Sequence, residues 1–381
     1  MANRLKIGLV LDTSLDQPDG VQQYVIAIGE WLRSQNHDVH YLVGESHRTD
    51  LQNVHSLAKN IKVRFNGNRT TIPLPTSKKA LKNFLDAEQF DVLHVQMPHS
   101  PFMAQRLILA ASDSTAVIGT FHIAPYNWTV SAGNTMLGWW LRPSLKRFDT
   151  VVSVSQAGAD FAEDTFHIKT DVLPNVIDYK RFKHAQPLER YQNDNVKILF
   201  LGRLVPRKGS ELLLQAVARL AQQSHIPDFE VIICGKGPLD GKIRNFIGKN
   251  KLQHIVRMEG FVSEEDKPRF YASADISVFP SSGGESFGIV LLEAMASGKA
   301  AVLAGDNPGY RTVMTPRPEQ LFDPHNAAAL TDLLGQYVRH PKVRERAQKW
   351  GTSYTADFDI HVVGKKLEAI YDEALRKRRN P

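Results

Sequence analysis

The stretch "VKILFLGRLVPRKGSE" (196–211) decides the fold. It begins with an apolar run of the length of a buried strand. Gly202 and a loop carrying Arg203, Arg207 and Lys208 follow, and a helical pattern begins near Glu211. A strand that feeds a basic loop into a helix gathers backbone N–H groups, a helix dipole and cations at one point. Such a junction reads either as an anion site or as a solvated basic loop with Ser210 capping the helix.

The same rhythm extends in both directions. Downstream lie "FEVIICG" (229–235), "HIVRMEG" (254–260), "DISVFPS" (275–281) and "KAAVLAG" (299–305). Upstream lie "LKIGLVL" (5–11), "HDVHYLV" (37–43), "FDVLHVQM" (90–97), "AVIGTFH" (116–122) and "DTVVSVS" (149–155). Helical patterns such as Val21–Arg33 and Pro101–Ala111 separate them. Strands alternating with helices imply parallel sheets, so the expectation is an α/β chain of two doubly wound, Rossmann-like domains facing a central cleft. The domains are expected at 1–180 and 196–355. Residues 181–195, polar and aperiodic with Pro187, read as the linker. A final helix within 356–381, about Ile360–Arg376, needs an apolar surface to cover, one the first domain could supply. Ligands of such sheets bind outside the carboxyl ends of the strands.

Composition narrows the function. The 381 residues carry 47 basic and 40 acidic side chains, a formal charge of +7 that favours an anionic partner. No run is long and apolar enough for a membrane span, and the N-terminus reads as a first strand, not a secretion signal. The single cysteine, Cys234, excludes an internal disulfide and fits a reducing cytoplasm.

"GGESFGIVLLEAMASG" (283–298) is the second informative segment. Gly283 and Gly284 make a turn, and Ser286 to about Ser297 reads as an apolar helix. Glu285 then sits at the positive end of that helix. Glu293 lies two turns in, among Leu291, Leu292, Ala294 and Met295, where a carboxylate needs a cation or hydroxyl donors. A structural Arg or Lys would satisfy it, and so would a ribose diol. "CGKGP" (234–238) offers Gly235 and Gly237 after another strand, either as a tight turn or as a close approach to a ligand.

These motifs, with "MEGFVSEEDKPRFYASADISVFPS" (258–281) in order and spacing, resemble the E-x7-E segment and its neighbours in retaining glycosyltransferases of the GT-B fold. "LVLDTSLDQPDGVQQYV" (9–25), "FDVLHVQMP" (90–98) and "GTFH" (119–122) are similar to the phosphatidylinositol mannosyltransferases of that group. The resemblance implies that Arg203 and Lys208 hold a donor diphosphate and that Glu293 holds the ribose hydroxyls. It places Glu285 on the transferred sugar, with the backbone of Ser286, Phe287, Gly288 and Ile289 around it. Gly260, Phe261 and Val262 would lie near the base. Gly20 would admit the donor phosphate to the first domain's backbone, and His122 would hydrogen-bond the sugar. Glu285, His122, Arg203 and Lys208 are the implied catalytic set. Taken alone, Gly20 reads as a turn glycine and His122 as a structural histidine.

The implied activity is metal-independent, retaining transfer of a hexose, with GDP-mannose as donor, to a lipid-linked acceptor such as phosphatidylinositol. Another acceptor served by a UDP-sugar, or an epimerase on the same fold, are the alternatives. No cofactor, metal or nucleic acid is expected; "DFD" (357–359) only superficially matches a metal motif. The helical segment "TSKKALKNFLDAEQFD" (76–91) sets Lys78, Lys79 and Lys82 beside Leu81, Phe84 and Leu85. It reads as a solvated helix or as a dock for anionic lipid, at about 1 kcal/mol per lysine. Trp128 and "MLGWWLRP" (136–143) add aromatic area for core or lipid. The implied location is the cytoplasm, peripherally on the inner face of the membrane. "IAPYNWTV" (123–130) and His99 depart from the mannosyltransferase pattern in loops expected to face the acceptor.

Overall fold

In the computed structural model of the chain, residues 4–16, 19–65, 68–122, 138 and 140–379 are described. They divide into two compact units, Met1–Val176 with Ile360–Pro381, and Ile177–Asp359. In the first unit, β1 (Lys6–Leu11), β2 (Asp38–Val43) and β3 (Val54–Ser56) precede an antiparallel pair, β4 (Asn60–Phe65) and β5 (Asn68–Pro73). β6 (Val92–Gln96), β7 (Ala116–Phe121), β8 (Thr150–Ser153) and β9 (Asp171–Val172) follow. The main sheet runs β3-β2-β1-β6-β7-β8-β9, with every neighbouring pair parallel. β6 and β7 are buried along their whole length, as a sheet covered on both faces requires.

The second unit repeats the plan. Its strands are β10 (Val196–Leu201), β11 (Phe229–Cys234), β12 (Val256–Gly260), β13 (Ile276–Phe279), β14 (Ala301–Gly305) and β15 (Leu321–Phe322). They run β12-β11-β10-β13-β14-β15, all parallel. Strand order reverses between β1 and β6 in one sheet and between β10 and β13 in the other. These are the switch points at which open α/β sheets bind ligands.

Two expectations need correction. Residues 181–195 are not a bare linker. A helix at Tyr179–Lys183 and a short turn at Glu189–Tyr191 are built into the second unit. The Tyr191 hydroxyl donates to Glu259 at 2.5 Å and the Leu188 amide to Ser273 Oγ at 2.8 Å. Residues 356–359 also belong to this unit: the Ile177 amide donates to the Phe358 carbonyl at 3.0 Å. The antiparallel pair β4–β5 has no counterpart in the sequence reading.

The final helix, Ile360–Arg379, completes the first unit. Val363, Leu367, Tyr371 and Leu375 are buried in one core with Val25, Ile28 and Leu32 of the helix Gly20–Ser34 and with strand residues Leu9 and Ile118. Gly364 is required there, since a Cβ would lie 2.6 Å from the Trp31 ring. The Tyr371 hydroxyl lies 2.7 Å from Nδ1 of buried His94, and Thr120 Oγ1 lies 2.6 Å from its Nε2.

His94 shares this interior with His99 and His122. Burial lowers His94 from its ordinary 6.5 to about 3, His99 to about 4 and His122 to about 3. Unfolded, the three imidazoles take protons as pH drops below about 6.5; folded, they stay neutral. Stability is therefore whole above that pH and falls as pH descends toward 4, by up to about 1.4 kcal/mol per pH unit for each histidine. The melting temperature is expected to drop between pH 7 and pH 5, followed by circular dichroism, with a shallower drop in His94→Gln. A flat profile overturns this account. Tyr371→Phe leaves one nitrogen of His94 without its partner and is expected to cost about 1–3 kcal/mol in urea unfolding.

Candidate active site

β10 and β13 are neighbours, so the loops leaving their carboxyl ends come together although some 75 residues separate them in sequence. After β10, Arg203 is exposed and Pro206–Lys208 forms a single 3-10 turn. Gly209 ends that turn at φ +73° and caps the helix Ser210–Leu220. A Cβ on Gly209 would lie 2.0 Å from the Pro280 carbonyl oxygen, so only glycine lets the basic loop lie against the loop after β13. The Ser282 amide donates to the Arg207 carbonyl at 2.9 Å and locks the two loops in register. Ser210 is not the cap; its hydroxyl is buried and makes no hydrogen bond among the described residues.

The charges converge on Glu285. Its Oε1 accepts from Arg207 Nη1 at 2.8 Å, Lys208 Nζ at 2.8 Å and Ser281 Oγ at 2.7 Å. Burial pushes the Glu285 carboxyl up, and the Lys208 and Arg207 charges more than reverse this, holding it below the ordinary carboxylate range. Two cations thus share one anion, and the cluster carries surplus positive charge next to a helix N-terminus. The chemistry this suits is binding of a dianionic group.

The apolar helix begins at Ile289, not Ser286, and ends at Ala296, because Gly288 at φ +98° breaks the backbone just before it. Ser286 therefore shares no helix face with Glu293. Phe287 is buried and packs against Phe358 at 6.1 Å, which leaves its backbone as the part able to meet a ligand. Gly309 braces this loop from below: a Cβ there would lie 2.0 Å from the Glu285 carbonyl oxygen. Asn307 Nδ2 adds a hydrogen bond to the Ser281 carbonyl at 2.9 Å.

Glu293 finds the structural cation that the sequence left as one of two alternatives. Its Oε1 accepts from Lys267 Nζ at 2.7 Å, and Lys267 also binds Glu264 at 2.7 Å. Its Oε2 is buried with no hydrogen bond among the described residues, and so is the nearby Tyr271 hydroxyl. Burial raises the Glu293 carboxyl above its usual range, and Lys267 only partly opposes this. One oxygen is held by a cation and the other has no hydrogen-bond partner among the described residues.

Gly260 ends β12, Phe261 beyond it is 65% exposed and Val262 is half-buried. Gly235 packs against the carbonyl of Gly202, which gives its glycine a structural reason. "DFD" (357–359) is organised around Phe358, whose ring meets Tyr354 edge-on at 5.1 Å and Phe287 edge-on at 6.1 Å.

In the first unit, Gly20 opens its helix with open space at its Cα: an added Cβ would meet nothing within 4 Å. His122 follows β7, fully enclosed, with Nε2 2.7 Å from Gln96 Oε1 and the Tyr24 ring edge-on at 4.9 Å. Since Gln96 offers a carbonyl oxygen, Nε2 carries the proton and Nδ1 is left as an acceptor. Burial keeps this ring neutral, so it can orient a hydroxyl but not act as an acid at neutral pH. Lys78, Lys79 and Lys82 are exposed on the helix Lys78–Glu88, while Leu81 and Leu85 are consumed by the core. Trp140 is 61% exposed. Residues 123–130, including Trp128, lie outside the described residues, as do 136, 137 and 139.

Known proteins resemble this chain in sequence and in fold. Residues 18–181 match the model of glycosyltransferase family 4 and residues 181–353 that of glycosyl transferases group 1. The chain is 30% identical to a phosphatidyl-myo-inositol mannosyltransferase of Mycobacterium tuberculosis over 97% of both chains. It is 33% identical to one of Mycolicibacterium smegmatis, over 81% of this chain and 78% of that one. Sucrose-phosphate synthase from Thermosynechococcus elongatus superposes with a TM-score of 0.74 at 19% identity, covering 98% of this chain and 100% of the other. The chain belongs to the GT-B glycosyltransferases.

In this glycosyltransferase, Arg207, Lys267, Asn307 and Gly309 are parts of the site that the sequence did not single out. Arg207 stood beside Lys208 in the basic loop, and the demand of Glu293 for a cation pointed to some lysine or arginine without naming Lys267. Asn307 and Gly309 left no signal, because their role is to support backbone. Lys267→Met leaves a buried carboxylate with no cation and is expected to cost about 3–5 kcal/mol in urea unfolding, most of it recovered in the double variant with Glu293→Gln. A single variant as stable as the parent overturns the pairing.

Proposed function

We propose that this glycosyltransferase transfers mannose from GDP-mannose to the inositol ring of phosphatidylinositol, retaining the anomeric configuration and requiring no metal. The observation that carries the reading is the Glu285 cluster, in which Arg207 and Lys208 share one carboxylate oxygen at the β10–β13 switch point. Its surplus charge, together with Arg203, is suited to a departing nucleoside diphosphate, the electrostatic device that often contributes most to such transfers. The full-length likeness to phosphatidyl-myo-inositol mannosyltransferases supports the sugar and the acceptor.

The geometry supports the following roles within this reading. Lys208, Arg203 and the amino end of the helix Ser210–Leu220 bind the diphosphate. The unpartnered Oε2 of Glu293 accepts a ribose hydroxyl. Glu285, with three donors on one oxygen, is a weak nucleophile, so it orients the sugar and does not attack its anomeric carbon. Retention then requires attack from the face that the diphosphate leaves, with a phosphate oxygen accepting the acceptor's proton. Neutral His122 holds a sugar hydroxyl through Nδ1.

No helix among the described residues is long and apolar enough to cross a membrane. Lys78, Lys79 and Lys82 present charge alone, since their helix spends its apolar face on the core. That favours reversible docking on anionic lipid at the inner face of the membrane. His99 is packed on Phe121 at 5.3 Å, so the departure at 123–130 alone favours, as the second reading, a different acceptor.

The test incubates the enzyme with GDP-mannose, UDP-glucose or UDP-galactose and with vesicles containing phosphatidylinositol or diacylglycerol. Products are identified by mass and by the anomeric coupling. Mannosylated phosphatidylinositol in the α configuration, formed equally in EDTA, is the expected result. Arg203→Ala and Lys208→Ala should each lower turnover at least about a hundredfold with unchanged circular dichroism. Near-normal turnover in both, or product only from a UDP-sugar, overturns the reading.

A further inference from the structure

Three potential metal ligands meet in the first unit, away from the carboxyl ends of its strands. His40 is buried in β2, His55 is half-buried in β3, and Glu88 is the last residue of the helix Lys78–Glu88. His40 Nδ1 lies 2.8 Å from His55 Nε2 and 3.9 Å from Glu88 Oε2. One ligand atom from each of the three lies within 4.8 Å of the others. We propose that His40, His55 and Glu88 form a binding site for a divalent cation of the zinc class.

The chemistry of the donor set supports this. Two imidazoles and a carboxylate suit zinc, whose bonds to N and O of about 2.0–2.2 Å set neighbouring ligand atoms roughly 3.3–3.5 Å apart. The two nitrogens, hydrogen-bonded at 2.8 Å, would part by about half an ångström with the His55 proton moving to Nδ1, and the Glu88 carboxylate would close on them. A second observation is independent of the cluster. Asp38 Oδ1 lies 3.2 Å from His40 Nε2, the far side of the ring from His55. A carboxylate there fixes the Nε2–H tautomer and turns the Nδ1 lone pair inward, the outer-shell arrangement that accompanies imidazole ligation. Phe90 stands edge-on to His40 at 5.2 Å and Phe84 to His55 at 5.0 Å, shielding the rings from water.

Lys6 is the built-in competitor. Its ammonium lies 2.6 Å from Glu88 Oε2 and takes the place of the cation charge. It is partly exposed and can swing into solvent when a metal arrives. Bound zinc would fasten the carboxyl end of the lysine-bearing helix to two strands at the edge of the sheet.

The full chain without an affinity tag, stripped with EDTA and desalted, is titrated with zinc chloride by calorimetry, with magnesium chloride as the control. One zinc per chain is expected, bound in about the micromolar range or tighter, with little response to magnesium. X-ray absorption at the zinc edge should report two imidazoles. His55→Ala should abolish the site, Asp38→Asn should weaken it about tenfold or more, and His47→Ala, an exposed histidine elsewhere, should leave it intact. Because alanine at a strand histidine can loosen the edge, Lys6→Met tests the site from the other side and should tighten zinc binding about tenfold. No zinc binding at about a hundred micromolar, parental affinity in His55→Ala, or equal or weaker affinity in Lys6→Met each overturns the assignment.

Discussion

A single carboxylate oxygen, Oε1 of Glu285, organises the second unit's switch point. It accepts from two cations and a hydroxyl, joining the loop after β10 to the loop after β13. A carboxylate so largely enclosed would be costly without these donors, and the two cations without it would repel each other. Each loop therefore has one stable position, set by the other. Gly209 and Gly309 follow from the same constraint, since a side chain at either would separate the backbones that the charges draw together.

The parallel architecture was legible because each buried strand is a continuous apolar run, and such runs survive any choice of tertiary partner. Both sheets and most of their strands follow from it. The boundary near 181–195 misled because polarity was taken for exposure. Arg190, Tyr191 and Leu188 are used instead to fasten the segment to Glu259 and Ser273 through contacts more than sixty residues away. The start of the helix before Glu293 misled for a local reason: Gly288 adopts a left-handed conformation, and glycine does not declare its conformation in sequence.

The site divides in the same way. Residues whose chemistry is out of place in an apolar run, Glu285 and Glu293, could be singled out from sequence alone. Their partners could not, because an isolated lysine such as Lys267 is ordinary in composition and special only in position. The basic excess behaves similarly. Arg207 and Lys208 are matched by the part-buried Glu285 and Lys267 by the buried Glu293, whereas Lys78 and Lys79 face solvent. The net charge of the chain thus says little about the pocket and more about the surface.

The helix Ile360–Arg379 gives the first unit a non-contiguous chain, with the whole second unit, Ile177–Asp359, spliced between its parts. During synthesis the second unit has all of its residues before the first does. The first sheet must wait, with the surface around Leu9 and Ile118 uncovered and His94 short of its Tyr371 partner, until the helix Ile360–Arg379 leaves the ribosome. The order of assembly is thus written into the connectivity: the inserted unit first, the enclosing unit last.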